Sequence, residues 1–317
     1  MQRDDANFGI GTLGMATYLI FTLTLCGIYA LLALSLNLVW GGVGLVNLGL
    51  AGFFAVGAYT SALVTGAGAP VLIGWGAALL VGAAVGLVVT FATVRLRDDY
   101  LAIVTLGFAE VIRLVALNER WLTNGSDGIS GIKAPLKAEL GLGGFMLFYL
   151  GMVTLIVLLT STLLHRLDRS PFGRAMKAIR EDQQLAAFAG KNVLRFKLQT
   201  FALSAAIAAL AGALYAHFQS YVSPDHFEPL ITIYIFLAVT AGGVGRTSGA
   251  VLGAYLVVIF VEATRFMTQW LPVLQPVQLA ALREILVGLA LILVLHLRPQ
   301  GILPERIPEA PKPATER

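Results

Sequence analysis

Glu110 and Arg113 stand three residues apart inside an apolar run, and Glu262 and Arg265 repeat that spacing near the end of another. Opposite charges at i and i+3 share one helix face and neutralise each other. Ionised side chains are costly inside a membrane and often mark a proton or ion pathway. The economical reading is a structural pair facing a bundle interior, since both pairs lie near the expected outer ends of their segments. Arg283 and Glu284 in the last apolar run read the same way. Asn37 and Asn47 flank a glycine-rich break. There an amide either lines a translocation path or hydrogen-bonds one helix to another.

Other chemistry lacks its pattern. The stretch 242–248 superficially resembles a phosphate-binding loop, but Thr240 stands where the first glycine is required and Arg246 replaces the lysine. The chain therefore carries no ATPase by this motif, and no cofactor is expected on it. His165, His217, His226 and His296 are far apart and show no metal-ligand spacing, and Cys26 alone allows neither an intrachain disulfide nor a thiolate cluster. No nucleophile elbow, zinc-protease motif or aspartate pair is present, so the expectation is a protein without catalysis of its own.

The elements that position these residues must be membrane helices. Of 317 residues 57% are hydrophobic and only 13% charged, against about 25% charged in an average soluble domain. Mean hydropathy is +0.81. The net charge of +4 comes from basic residues clustered beside apolar runs, as membrane orientation requires; no nucleic-acid-binding pattern accompanies it. A spanning helix needs about 20 apolar residues. Candidates are 15–39, 46–65, 71–94, 100–117, 145–164, 198–218, 230–241, 250–267 and 279–297, with 230–241 too short to span alone. Residues 1–14 read as an external segment with no removable signal peptide, and 304–317 as a cytoplasmic tail. The loop 165–197 holds eight basic residues, Arg166, Arg169, Arg174, Lys177, Arg180, Lys191, Arg195 and Lys197. It is therefore assigned to the cytoplasm. Arg95 and Arg97, and the tail with Arg298, Arg306, Lys312 and Arg317, fall on the same side. The N-terminus and the 118–143 and 220–229 loops fall outside. The fold class is thus an all-α polytopic bundle of eight or nine spans with one membrane domain over 15–303.

Gly82 with Gly86, and Gly245 with Gly249 and Gly253, recur at spacings of four and read as packing faces. A weak echo relates Gly41-Gly42-Val43-Gly44 and Gly57-Ala58-Tyr59 to Gly242-Gly243-Val244-Gly245 and Gly253-Ala254-Tyr255. A duplicated half and coincidence in a glycine-rich chain both account for it. The cluster 123–131, with Asn124, Gly125, Asp127 and Gly128, is a turn-rich external loop. It is either a plain connection or a lid at an external mouth touching a binding protein.

The polar island at 168–192 is the remaining feature. Ser170 can cap a helix that Pro171 begins, and Gly190 suits the position past its end. Between them Phe172, Met176, Ile179 and Ala186 recur at helical spacing, with Arg174, Lys177, Glu181 and Gln184 on another face. The expectation is one amphipathic helix of about five turns, lying on anionic lipid or fitting a partner's groove.

The segment 172–182, Phe-Gly-Arg-Ala-Met-Lys-Ala-Ile-Arg-Glu-Asp, followed by Ala189-Gly190-Lys191-Asn192, resembles the coupling loop of branched-chain amino-acid ABC importer permeases. The stretches 29–38 and 52–59 resemble the family's opening, and Arg298-Pro299-Gln300-Gly301-Ile302-Leu303 its ending. Residues 100–108 and 123–132 resemble the LivM-type member rather than its LivH-type partner. The resemblance covers about 26–303. It implies a bacterial inner-membrane permease subunit paired with a LivH-like paralogue, two cytoplasmic ATPases that bind the ATP, and an extracytoplasmic binding protein. It further implies that Phe172, Gly173, Arg174, Ile179, Arg180, Glu181, Asp182 and Gly190 couple to the ATPase. Asn37, Asn47 and Leu50 are the candidate path. Leu50 stands where relatives often carry a histidine or aromatic residue, and the additional N-terminal span of many relatives is not expected here. The rival readings are a gradient-driven secondary transporter using Glu110 or Glu262, an importer of amides or urea, and a scaffold that transports nothing.

Overall fold

The computed structural model describes residues 2–93, 98–270, 275–298 and 300–305. The expected basic pair Arg95 and Arg97, and tail residues Arg306, Lys312 and Arg317, lie outside the described residues. So do the side chains of Arg265 and Arg283.

Described in order, the helices are α1 (Gln2–Val43), α2 (Leu50–Gly66), α3 (Val71–Thr93), α4 (Asp98–Asn118), the single turn α5 (Arg120–Thr123) and α6 (Lys137–Arg169). Then come α7 (Pro171–Glu181), α8 (Gln183–Phe188), α9 (Val193–Gln219), α10 (Pro229–Gly242), α11 (Thr247–Trp270) and α12 (Pro276–Leu297). Seven are long and apolar enough to cross a bilayer. The apolar α2 has 17 residues and α10 has 14, so at 1.5 Å per residue α10 spans only about 21 Å of a ~30 Å hydrocarbon layer. All nine expected segments contain a helix, the second beginning only at Leu50 rather than at 46. The sixth of the helices, α6, begins earlier than its apolar run and kinks at Gly141, whose φ of 64° suits only glycine well.

The core is built on α1 and α9. The alanines of α9 (Ala205, Ala208, Ala209, Ala211, Ala213 and Ala216) are fully buried, and their small size lets α2 and α3 approach closely. Without a hydrophobic drive between helices in lipid, such close packing is what holds spans together. Gly57 of α2 sits against the Ala209 carbonyl and Gly212 of α9 against the Phe54 carbonyl, a reciprocal contact that leaves no room for a Cβ at either position. Gly82 and Gly86 of α3 face Ala209 and Ala205, as their spacing implied. Gly249 and Gly253 face the end of α10, whereas Gly245 lies in the α10–α11 turn at φ +83° rather than on the same helix face.

Two sets of four helices pack alike. In one, α2 packs on α3, α4 and α9; in the other, α10 packs on α11, α12 and α1. Correspondingly α3 lies on α9 and α11 on α1. Helix α1 ends where α9 begins, beside α7, so the sets run in opposite directions, as in transporters with inverted repeats. The packing therefore relates α1 to α9 and α2 to α10. The glycine echo instead relates α1–α2 to α10–α11, so it is not the trace of this repeat. Its two glycine turns simply meet: a Cβ on Gly41 would lie 2.6 Å from Gly245.

Candidate functional site

The polar island begins as its sequence implies and then departs from it. Ser170 Oγ accepts the Gly173 N–H at 3.2 Å with Pro171 in the first turn. The helix does not continue to Gly190, because Asp182 leaves helical geometry (φ −153°, ψ 108°) and its carboxylate caps α8 by accepting the Gln184 and Leu185 N–H groups. A side chain that satisfies two orphan donors starts a new helix more favourably than it continues the old one. Gly190 follows α8 at φ +78°, and Asn192 caps α9 through the Arg195 N–H.

This break sorts the expected coupling residues into two groups. Ile179 and Met176 are buried against the bundle, and Phe172 packs on Phe196 with ring centroids 4.9 Å apart. Gly173 is buried too, and a Cβ there would meet the Leu167 and Asp168 carbonyls, so its small size serves the tight turn from α6 into α7. Arg180 also points inward. It donates to the Gly41 carbonyl and to Glu305, and pairs with Glu181 at 3.1 Å. Lys177 bridges Asp168 at 2.8 Å and Glu305 at 3.1 Å. Burial disfavours its ammonium, but hydrogen bonds and charge from the two carboxylates outweigh this and hold its pKa above the ordinary lysine value. Arg174, Glu181, Asp182 and Gly190 remain exposed. With them on the outer surface stand Leu185 and Phe188, 66% and 88% exposed. The helical spacing of the apolar face hid these two, because it was read as one uninterrupted helix.

Asn37 and Asn47 serve different places. Asn37 Oδ1 accepts the Gly245 N–H at 2.8 Å, and the residue lines a cavity of about 30 Å³ with Gly41, Met176 and Gly245 beside α7. Asn47 is fully buried in the 44–49 break; its Oδ1 accepts the Gly49 N–H at 2.9 Å while its Nδ2 has no partner. Leu50 opens α2 and is fully buried. The break is stitched to its neighbours by Thr105, which receives the Leu48 N–H, and by Thr232, which receives that of Ala51.

At the other end the 123–131 cluster is part of a built cap. Gly125–Asp127 forms a 3₁₀ turn, and β1 (Ile129–Ser130) pairs antiparallel with β2 (Tyr221–Val222). Asn124 adopts the left-handed region and donates from Nδ2 to the Gly128 carbonyl at 3.1 Å. The Asp127 carboxylate side is exposed, whereas its carbonyl accepts the Tyr221 hydroxyl at 3.1 Å. The Ile132 N–H and His217 secure the cap to the end of α9, through the Ser220 and Lys133 carbonyls respectively. Gly128 has φ 67° and ψ −172° and faces the Val222 carbonyl. That region is essentially open to glycine alone and costs other residues about 1–3 kcal/mol. Gly128→Ala is therefore expected to lower the melting temperature of the purified chain clearly, and Asp127→Ala to leave it unchanged, as read by thermal unfolding in detergent.

Arg113 and Glu110 form a two-pronged pair at 2.9 and 2.6 Å. It lies partly exposed at the edge of the bundle rather than inside it, on α4. Glu262 accepts the Tyr18 hydroxyl at 2.6 Å and borders a cavity of about 70 Å³ with Tyr29, Tyr234 and Val258. No group of three or more potential metal ligands occurs among the described residues.

The geometry thus places a cluster of charges with the exposed Leu185 and Phe188 at the α7–α8 end and a main-chain cap at the other. Residues 18–295 match the family model described as the branched-chain amino acid transport system permease component. The chain is 36% identical over 309 residues to the high-affinity branched-chain amino acid transport system permease protein LivM of Escherichia coli K12, covering 90% of this chain and 70% of that protein. It is 28% identical over 220 residues to a probable LivM of Methanocaldococcus jannaschii, covering 68% and 62%. To the LivH permease protein of Salmonella typhimurium it is 27% identical over 260 residues, covering 74% and 80%. No solved structure matches the chain.

Proposed function

Because the chain belongs to the branched-chain amino acid transport permease family, as a LivM-type, multi-pass subunit of a bacterial ABC importer with a LivH-like partner, we propose that its cargo is a branched-chain or similarly hydrophobic amino acid, moved inward by alternating access. ATP hydrolysis resides on two cytoplasmic ATPase subunits that dock on α7–α8, and an extracytoplasmic binding protein delivers cargo at the β1–β2 end. The observation that supports this most is the outer surface of α7–α8. Leu185 and Phe188 of α8 are exposed, as are Arg174, Glu181 and Asp182 of the same loop, at the end of the bundle that holds the basic residues. Exposed aromatic and apolar side chains ringed by charge are characteristic of protein interfaces. Arg174, Glu181, Asp182 and Gly190 belong to that surface, while Phe172, Gly173, Ile179 and Arg180 fasten it to the bundle. In this reading Asn37 lines the inner end of the path and the Asn47–Leu50 break lies deeper.

The test is purification of tagged chain from native membranes, then uptake into proteoliposomes of leucine, glutamine, acetamide and urea. Co-recovery of an ATPase pair and a paralogous permease, with ATP-dependent leucine uptake, is the expected result. Uptake that survives loss of the ATPases but collapses with the proton gradient would move the assignment to a secondary transporter, with Glu262 in its cavity as the first residue to replace. ATP-driven uptake of urea or acetamide alone would overturn the cargo and keep the mechanism.

A further inference from the structure

Helix α7 packs on α1, α6 and α8, so through helix packing a push on α7 reaches α10 by way of α1. Residues 300–305 supply a second connection. The Ile302 and Leu303 N–H groups donate to the Ala241 and Gly242 carbonyls at 2.9 Å, fastening this segment as a strap along the end of α10. Gly301, at φ +73°, lies directly against Gly243, where a Cβ would come within 2.5 Å of the backbone. The strap ends in Glu305, whose side chain is only 18% exposed. One of its oxygens accepts Arg180 Nη1 at 2.9 Å and the other accepts Lys177 Nζ at 3.1 Å. The same Arg180 nitrogen donates to the Gly41 carbonyl at the end of α1. Gly245, in the turn into α11, leaves the space that the carboxylate fills.

We propose that Glu305 is a positioning residue for transport: its carboxylate links α7 to the ends of α1 and α10, so that movement of α7 carries the whole set of α10, α11, α12 and α1 with it. The inference rests on the reading that ATPases dock on α7–α8. A charged acceptor held by two cations is a directional link, and because these side chains are partly exposed its strength falls as salt rises. A carboxamide at 305 keeps the shape of the side chain but loses the charge that holds Lys177 and Arg180.

The experiment compares wild type, Glu305→Gln and Glu305→Asp in complexes matched for subunit content, reading ATPase recovery, ATP hydrolysis and leucine moved per ATP hydrolysed. Expected for Glu305→Gln are undiminished ATPase recovery, persisting hydrolysis and about a tenfold fall in leucine per ATP, equivalent to ~1.4 kcal/mol. Glu305→Asp, which keeps the charge, retains most of the wild-type ratio. A purely structural role would lower the yield of complex and leave the ratio per complex unchanged. An unchanged ratio in Glu305→Gln overturns the proposal and leaves ATPase docking standing. So does loss of the ATPases from that variant, which would make Glu305 a support of the docking surface alone. Absence of ATPases from the wild-type complex overturns the docking reading and this proposal together.

Discussion

Gly212→Leu is expected to leave no monodisperse protein after detergent extraction, whereas Gly151→Leu is recovered and melts like the wild type. Gly212 sits where α9 crosses α2, with the Phe54 carbonyl against its Cα. The clash falls on backbone, which cannot swing aside as a side chain would. Relief requires α2 and α9 to separate, and that prises Gly57 away from Ala209 and loosens the buried α9 alanines as well. Overpacking a tight site ordinarily costs about 1–3 kcal/mol; because both halves of the reciprocal crossing open together, the cost here should be at or above ~3 kcal/mol, a large share of a typical domain's stability. Gly151 on α6 has nothing within 4 Å of its would-be Cβ, so the control carries the same added bulk to an open face. Fluorescence-detected size exclusion and a thermal ramp read both.

The second large effect is expected from Leu185→Asp with Phe188→Asp. These side chains touch little of the bundle, so folded yield should match the wild type. At an interface, a buried aromatic anchor contributes about 2–4 kcal/mol, equivalent to roughly 30- to 1,000-fold in affinity. ATPase subunits should therefore be absent from the purified double variant. Arg180→Glu should behave differently: it removes the hydrogen bonds to Gly41 and Glu305 and sets two carboxylates together, so folded yield falls along with ATPase recovery. Full ATPase recovery with the aspartate pair would place docking elsewhere than α8.

Much of this architecture is readable in the chain. Apolar runs mark all nine segments, most of them of spanning length, because the bilayer demands apolar surface regardless of neighbours. The start of α7 is equally legible, since its cap, Ser170 accepting the Gly173 N–H with Pro171 in the first turn, is formed by neighbours in sequence. Asp182 is less so. The helical spacing from Ile179 to Ala186 is seven residues and fits an unbroken helix, while the capping bonds that break it compete at the scale of a single side chain. Strands of two residues, as in β1 and β2, are too short to leave alternation. Glu305 is hidden for a different reason: its partners are more than 120 residues away, and no local pattern foretells which tail carboxylate reaches which loop cation. The inverted arrangement of α2, α3, α4 and α9 against α10, α11, α12 and α1 leaves little trace because it needs only small residues at crossings, which glycine and alanine supply in many registers.

The two ends of the molecule are fastened by different forces, and ionic strength tells them apart. The β1–β2 cap is held by main-chain hydrogen bonds and by His217 and Tyr221, which dissolved ions scarcely touch. The α7 end hangs on Lys177, Arg180, Asp168, Glu181 and Glu305, partly exposed charges whose attraction fades as the Debye length shrinks from about 8 Å at physiological salt to about 3 Å at 1 M. Concentrated salt thus acts on this protein as a one-sided solvent. Hydrogen exchange should quicken first in α7 and along 300–305 while the cap keeps its protection.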